Sequence, residues 1–231
     1  SCILDSMESL IEARMWHPVA QSTALQAAPL GVQLLGQSVV LWRDDAGTAH
    51  AWADQCPHRG AKLSLGRVCA GHLECPYHGW RYDTGGQCRY IPAHPDLEVP
   101  QTIKVPTFAA IERAGVVWMA PEGAEVADLS TLPETADPVR SLFLDLSMNA
   151  ALLAVTAAPP EGYRPVESGT GLVTFQGNDL TVLIAAHPRD AGRTALHITV
   201  TGNTSASIRR DLILWAPDLR NRIEAQMVEA A

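Results

Sequence analysis

The fold of this chain is decided by two short stretches, CPHRGAKLS at residues 56–64 and CPYHGWRYD at residues 75–83. Each begins with a cysteine followed directly by a proline, and a histidine comes two or three residues after that cysteine. A glycine follows each histidine closely, which suits a tightly bent backbone. The repeated pattern predicts two β-loops, each of which offers one thiolate and one imidazole from its tip.

The ligand candidates in these loops are Cys56, His58, Cys75 and His78. When two irons are bridged by sulfides, each iron needs two protein ligands. If both cysteines bind one iron and both histidines bind the other, each loop must give one ligand to each iron. The spacings Cys-x-His and Cys-x-x-His allow that division. We therefore expect a [2Fe-2S] cluster with mixed cysteine and histidine ligands.

A zinc ion held by the same four side chains is the main alternative. Zinc sites prefer Cys-x2-Cys or His-x3-His pairs, so the spacing favours the di-iron cluster. Five cysteines in 231 residues are too few for a disulfide scaffold. The other three, Cys2, Cys69 and Cys88, have no matching spacing, and we assign them no chemistry.

The two stretches closely resemble the Rieske domain of ring-hydroxylating and demethylating oxygenases. Segments WHPVA at 16–20, VVLWR at 39–43 and IPA at 91–93 also look like their counterparts in that family. Rieske proteins of respiratory complexes usually carry an extra cysteine in each loop, where this chain has Ala61 and Tyr77. The resemblance therefore favours the oxygenase class and implies a Rieske cluster on the four ligand candidates.

The composition describes a compact globular protein, with 47% apolar and 18% charged residues. A net charge of −8 disfavours nucleic acid as a partner. No apolar run approaches the roughly 18 residues that cross a bilayer, and no export signal is visible at the start. We therefore expect a cytoplasmic protein that binds neither nucleic acid nor membrane.

The chain is expected to be mainly β, with a Rieske-type antiparallel β-domain followed by a shortened α+β region. Short apolar runs separated by Gly, Pro and Asp indicate the β-domain. The resemblance implies a helix-grip-like arrangement for the second region. Four segments are predicted: an N-terminal helix or arm at 1–15, the Rieske domain at 16–121, a linker at 122–140 and the oxygenase-like region at 141–231.

Periodicity and turn residues predict individual elements within these segments. Two hairpins are expected, 39–43 with 48–53 and 180–186 with 194–201. Further strands are expected at 103–108, 109–112, 116–119 and 172–175. Helical spacing from Ile208 to Met227 predicts a terminal helix that breaks or restarts at Pro217.

A second iron site is not expected in this chain. The resembling oxygenases hold a mononuclear iron by two histidines and a carboxylate in a second domain. Beyond the predicted Rieske domain, 16–121, the only histidines are His187 and His197, with Asp190 in the turn between their strands. Cross-strand polar pairs are far commoner than open iron sites. An intact terminal oxygenase using these three atypical ligands remains the alternative.

The sequence thus indicates an oxidoreductase that carries electrons from a reductase or ferredoxin toward an O2-activating non-haem iron. The resemblance implies dioxygenase or monooxygenase systems, and an oxygenase partner or a homo-oligomer, a trimer in the family, stays open. Whether the chain is itself an enzyme is also open. A third reading is a non-redox protein whose cluster is regulatory or structural. The sequence does not indicate a substrate.

Overall fold

The computed structural model describes residues 15–120, 129–166, 169, 171–177, 179–202 and 204–229. The N-terminal helix predicted before Trp16 falls almost entirely outside these residues, as does Cys2. The chain divides into two compact units, described separately below. The first is built mainly from 22–111 and 117–120, and the second from 17–21, 112–116 and 129–229.

Strand β1 (His17–Gln21) belongs to the second unit, and the strands β2 to β10 build the first, apart from the end of β9 and the first residue of β10 within 112–116. They are β2 (Leu30–Leu34), β3 (Gln37–Arg43), β4 (Ala49–Ala53), β5 (Arg67–Cys69), β6 (His72–Glu74), β7 (Arg81–Tyr82), β8 (Cys88–Tyr90), β9 (Thr107–Arg113) and β10 (Val116–Ala120). Strands β2-β3-β4-β9-β10 are neighbours in one sheet, and β5-β6-β7-β8 form a smaller antiparallel sheet.

The predicted hairpin at 39–53 is confirmed as β3 and β4, paired from Val39 opposite Ala53 to Arg43 opposite Ala49. The Asp44 carboxylate closes its turn by accepting hydrogen bonds from the amides of Ala46 and Thr48. This is the local bonding that makes aspartate a turn former.

The separate strands predicted at 103–108 and 109–112 are wrong. One continuous strand, β9, begins at Thr107 and runs to Arg113. Upstream of it, Lys104 makes only an isolated bridge with Gln87. Pro106, which has no amide hydrogen, stands directly before the strand, as expected where a ladder begins.

The core of the first unit lies beneath the two predicted loops. Trp42 and Trp52 pack edge to face with ring centroids 4.9 Å apart, and both are fully buried. Both loop cysteines are part of the same buried cluster, together with Leu63, Leu73 and Tyr82. The cysteine end of each loop is therefore anchored in the core.

The second unit contains β1 and a five-stranded antiparallel sheet with two α-helices. The later elements are β11 (Asp137–Leu144), α1 (Met148–Thr156), β12 (Arg164–Val166), β13 (Leu172–Gly177), β14 (Leu180–Asp190), β15 (Arg193–Thr201) and α2 (Ala206–Glu229). The order is β11-β15-β14-β13-β12, and the predicted hairpin of β14 with β15 is confirmed. Strand β11 begins within the segment predicted as a linker, 122–140.

Helix α1 was not predicted. Ser147 caps its N-terminus by accepting a hydrogen bond from the Ala150 amide. Buried Met148, Ala151 and Val155 recur at helical spacing. The signal was the alanine-rich run after a serine, which favours a helix once one side is packed.

The terminal helix is confirmed, but the break predicted at Pro217 is wrong, because α2 continues through this residue. Proline removes one helical hydrogen bond and strains the preceding turn. Buried Leu212, Ala216, Leu219 and Ile223 lie on one side of the helix and belong to the core of this unit. Burial on both sides of the proline stabilises the helix beyond what its propensity alone would allow.

The chain is thus mainly β with an α+β C-terminal region, as predicted. None of the helices in the described residues is long and apolar enough to cross a membrane.

Candidate metal centre

The two loops are built alike, down to their backbone hydrogen bonds. In the first, the Cys56 amide donates to the Ala61 carbonyl at 2.8 Å, and the Gly60 amide donates to the Cys56 carbonyl at 2.8 Å. In the second, the corresponding bonds run from Cys75 to Trp80 at 2.9 Å and from Gly79 to Cys75 at 3.1 Å. Each cysteine therefore anchors both ends of its own turn.

Gly60 and Gly79 make these turns possible. Their φ angles are 73° and 68°, in the left-handed region that side chains other than glycine rarely adopt. A Cβ atom on Gly79 would also lie 3.1 Å from the Cγ of Pro92. The glycine of each motif is thus required by the backbone that brings cysteine and histidine to one tip.

The four ligand candidates come together as two pairs. Cys56 and Cys75 are each 2% exposed, and both thiols are free. His58 and His78 are exposed, with ring centroids 4.6 Å apart and planes tilted by 57°. The site therefore has a buried sulfur side and a solvent-facing nitrogen side.

Hydrogen-bond donors surround the sulfur side. The Tyr82 hydroxyl oxygen lies 3.1 Å from the Sγ of Cys56, and this tyrosine is fully buried. The amides of Tyr77 and His78 donate to the Cys75 sulfur. Burial raises the pKa of the Cys75 thiol, while these amides act in the opposite direction. A buried thiolate here needs the compensating positive charge that a metal supplies.

Aromatic rings flank the nitrogen side. The Trp80 indole stacks on His58, with centroids 4.3 Å apart and planes within 5°. The Tyr77 ring lies 3.8 Å from the His78 ring at a tilt of 32°. Partial desolvation lowers the pKa of His58, and the charges of His78 and Arg59 add to that effect. The stacking fixes both imidazoles in orientation, and a neutral imidazole is the form that binds metal.

Two buried carboxylates support the loops. Asp54, just before the first loop, accepts hydrogen bonds from the amide and hydroxyl of Ser64 at 2.7 and 2.6 Å. Glu74, just before the second, bonds to Arg81 at 2.7 Å and Arg67 at 2.6 Å. Burial would raise the pKa of Glu74, but the two arginines outweigh it and hold this pKa below its usual value. Both carboxylates clamp the loop bases through these bonds.

The residues present fit a [2Fe-2S] cluster with one cysteine pair and one histidine pair as ligands. Two thiols lie side by side within hydrogen-bonding reach, and two imidazoles lie next to each other. Within the described residues, no three His, Cys, Asp or Glu side chains converge on a single ion position. Two ligand pairs at one tip match the division of donors between two irons that mixed ligation requires.

The other histidines singled out from the sequence lie elsewhere, in the hairpin of β14 and β15. His187 and His197 are each 2% exposed and stack at 5.3 Å, with 3.3 Å between His197 Nε2 and His187 Nδ1. The Ser141 hydroxyl lies 2.8 Å from His197 Nδ1. Asp190 bonds instead to Arg193 and to the Gly192 amide in the exposed turn. The structure thus brings the two histidines together but not the carboxylate.

The remaining described cysteines lie apart from the ligand set. Cys88 is buried, and burial raises its pKa to about 11. Cys69 is partly exposed on β5. Sequence reasoning missed the bond between Tyr82 and Cys56 and the paired arginines on Glu74. The signal for the second was available, since Arg67 and Arg81 flank an acid that directly precedes a ligand cysteine.

Comparison with known proteins identifies the kind of domain that carries the two loops. The family model described as Rieske [2Fe-2S] domain matches residues 15–109. Methylxanthine N1-demethylase NdmA of Pseudomonas putida is 44% identical over 111 residues, which cover 45% of this chain and 31% of NdmA. The oxygenase component of dicamba O-demethylase from Stenotrophomonas maltophilia is 38% identical over 119 residues, 52% of this chain and 35% of that protein. The chain matches about a third of each relative's length.

A solved structure of Pseudomonas putida NdmA extends the likeness in fold, with a TM-score of 0.72 over 98% of this chain and 83% of that one, at 23% identity. Fold and loops together define a protein with a Rieske [2Fe-2S] domain. Over this domain the chain is similar to the Rieske non-haem iron oxygenases.

Proposed function

We propose that this chain binds a Rieske cluster through Cys56, His58, Cys75 and His78 and carries single electrons toward an O2-activating non-haem iron. The observation that carries the proposal is the division of the site. Its cysteines are buried among hydrogen-bond donors, and its histidines are exposed at the tip of the same two loops. Such a site can exchange electrons with a docked protein while its sulfur side stays shielded from water.

The chain's own residues would divide the work between the two sides. The Cys56 and Cys75 thiolates would bind the inner iron, with the Tyr82 hydroxyl and the amides of the second loop as donors to sulfur. Hydrogen bonds to the sulfurs favour the more negative, reduced state and so raise the reduction potential. When bound, the cluster supplies a reversible one-electron couple.

On the outer side, His58 and His78 would bind the second iron. Trp80 and Tyr77 hold the two rings in place by stacking. Since the imidazoles are the most exposed groups of the ligand set, they offer an electron the shortest route to a partner. The donor we propose is a reductase or a ferredoxin.

The proposal places no mononuclear iron on His187, His197 and Asp190. The two histidines bond to each other in the interior, and Asp190 bonds to Arg193. We infer that the O2-activating iron is supplied by another chain or another site. An intact terminal oxygenase with these ligands would need Asp190 to leave its arginine and turn toward the buried pair.

Electron paramagnetic resonance of the dithionite-reduced protein, combined with iron and sulfide analysis, tests the proposal. We expect a signal with a Rieske-type average g value, two irons and two sulfides per chain. Colourless, zinc-loaded protein from anaerobic preparation would overturn the ligand assignment. A third iron that disappears in His187→Ala would support the intact oxygenase instead. A cluster that dithionite reduces but no protein donor reduces would favour the structural or regulatory reading.

A further inference from the structure

A row of charged side chains crosses the small sheet of the first unit at the base of the second loop. Arg67 on β5, Glu74 on β6 and Arg81 on β7 lie at facing positions on neighbouring strands. The Glu74 carboxylate pairs with both arginines, through Oε1 with Arg67 at 2.6 Å and through Oε2 with Arg81 at 2.7 Å. The Arg81 guanidinium also lies over the Tyr90 ring on β8, 5.0 Å from its centroid. We call Arg67, Glu74 and Arg81 the charged row.

The charged row closes the loop that carries two of the ligand candidates. Glu74 directly precedes Cys75, and its facing residue Arg81 directly follows Trp80, the last residue of the loop. Glu74 is 7% exposed, and the Arg81 side chain is 36% exposed, against 71% for Arg67. Glu74 and Arg81 are therefore the less solvated members of the row, and water and salt screen such charges less than charges on the surface.

The charged row has one net positive charge. Burial would raise the pKa of Glu74, but the two arginines hold this pKa below its usual value, so the carboxylate is ionised at neutral pH. The hydrogen bond to Glu74 in turn raises the pKa of Arg81. Two guanidinium charges therefore outweigh one carboxylate, although the residue next to the ligand cysteine is an acid.

A positive charge beside the cluster ligands favours the reduced state. One-electron reduction adds a negative charge to the site and breaks no bond. A unit charge about 10 Å away, acting through an effective dielectric constant of about 20, changes the equilibrium constant of such a step roughly tenfold. The direction of the change follows the sign of the charge, which separates it from a change in loop geometry.

We propose that the charged row raises the reduction potential of the Rieske cluster, with Arg81 as the residue that makes the less solvated part of the row positive. The inference rests on the proposed function, because it concerns the cluster assigned there, and it adds how the chain sets the potential of that cluster. Arg81 and Glu74 act from the base of the loop, so they are positioning residues and not ligands. A row that only braced the loop would give a different pattern of potentials.

Other charged groups of the same stretch also act on the potential, and they have both signs. Residues 54–98 contain, besides the charged row, four acids and three basic side chains: Asp54, Asp83, Asp96, Glu98, Arg59, Lys62 and Arg89. Asp83 forms an ion pair with Arg89 at 2.6 Å. None of these groups changes in the variants that test the proposal. Differences in potential between those variants and the wild type therefore report the charged row.

The test is a redox titration of the cluster-loaded protein at neutral pH, followed by visible absorbance. Arg81→Gln should shift the equilibrium roughly tenfold toward the oxidised form. For one electron, that is a fall in potential of about 59 mV. Glu74→Gln should shift the equilibrium by a similar factor in the opposite direction. The double variant, whose row again has one net positive charge, should return to within about threefold of wild type.

Two control variants separate charge from structure. Arg81→Lys keeps the charge but not the guanidinium, so its redox equilibrium should stay within about twofold of wild type. Lys104→Gln removes one positive charge at an exposed residue of the first unit. Water and salt screen that charge, so this variant should also stay within about twofold of wild type. A fall in Lys104→Gln equal to that in Arg81→Gln would overturn the proposal, because the overall charge of the chain would then explain both.

A row that only braces the loop predicts that Arg81→Gln and Glu74→Gln shift the potential in the same direction, or that both lose the cluster. It also predicts that the double variant is at least as disturbed as either single variant. Either result overturns the proposal. If only Glu74→Gln loses the cluster, Arg81→Gln and Arg81→Lys decide, and equal potentials in these two variants contradict a role of charge. A wild-type protein without a Rieske cluster would instead disprove the proposed function, before any variant is compared.

Discussion

The molecule contains two histidine pairs that differ in almost every respect. His58 and His78 are exposed, tilted by 57° and held by neighbouring aromatic rings. His187 and His197 are buried, nearly parallel at 11°, and bonded to each other. We propose the ring nitrogens of the first pair as metal ligands, whereas those of the second pair bond to protein partners. Surroundings, more than residue type, separate a ligand pair from a pair that stabilises a core.

The largest effect is expected from removing a ligand on the first side of this comparison. Cys75→Ser should abolish the visible absorbance and lower the thermal midpoint of the first unit sharply, because metal binding and folding are coupled. Absorbance and thermal unfolding of anaerobically purified protein check this. Cys69→Ser, at a partly exposed position outside the ligand set, should keep both colour and midpoint. A coloured, stable Cys75→Ser protein would contradict the ligand assignment.

The second histidine pair, His187 and His197, can also be tested by a single substitution. His187→Ala should keep the cluster spectrum and leave two irons per chain, but lower the free energy of unfolding by about 1–3 kcal/mol. The loss arises because His197 keeps a buried nitrogen without its partner. Denaturant titration and iron analysis of one preparation measure both quantities. Loss of an iron would show that the buried pair is a metal site.

Lowering the pH should destabilise the protein through the second histidine pair. Burial, and then the proximity of His187, holds the pKa of His197 well below its usual value of 6.5. Below pH 6.5 this histidine binds a proton in the unfolded chain but not in the folded chain. The stabilisation is therefore fully present above pH 6.5, and the free energy of unfolding falls as the pH drops below it. The slope contributed by one such group is at most about 1.4 kcal/mol per pH unit.

Denaturant midpoints between pH 7.5 and 5.5 measure this slope. His197→Gln, which cannot titrate, should show a smaller change of denaturant midpoint with pH than wild type over the same range. A variant with an unchanged slope would assign the acid sensitivity to other groups.

The same contrast explains how far the sequence could predict the structure. Cysteine, proline, histidine and glycine at fixed spacing define the two loops locally, so residues 56–61 and 75–80 fold as two copies of one turn. The hairpins were readable for a similar reason, since Asp44 and Asp190 close their own turns. Local chemistry determines such elements.

Features that depend on distant packing were not readable. Helix α1 and the continuation of α2 through Pro217 both depend on burial of one side of each helix. The contact of Tyr82 with Cys56 joins residues 26 apart in sequence, and no local pattern distinguishes it from a core aromatic.

The smallest expected effect concerns the hydroxyl group of Tyr82 on the buried side of the first site. Tyr82→Phe removes the hydroxyl beside the Cys56 sulfur and keeps the ring that fills the core. Reduction adds negative charge at the site, so a donor to sulfur stabilises the reduced form more than the oxidised form. Losing about 1 kcal/mol of this preference should lower the reduction potential by roughly 40 mV.

Protein-film voltammetry measures that shift, with Tyr90→Phe as the matched control. Tyr90 packs under Arg81, with the guanidinium 5.0 Å from the ring centroid, so its ring also stays in place. Because phenylalanine keeps that ring contact and Tyr90 is not the donor to Cys56, its potential should stay within about 10 mV of wild type. If the reduction potentials of both variants shift alike, the Tyr82 hydroxyl does not act on the sulfur. Burial and backbone amides would then be the only influences of the buried side on the potential.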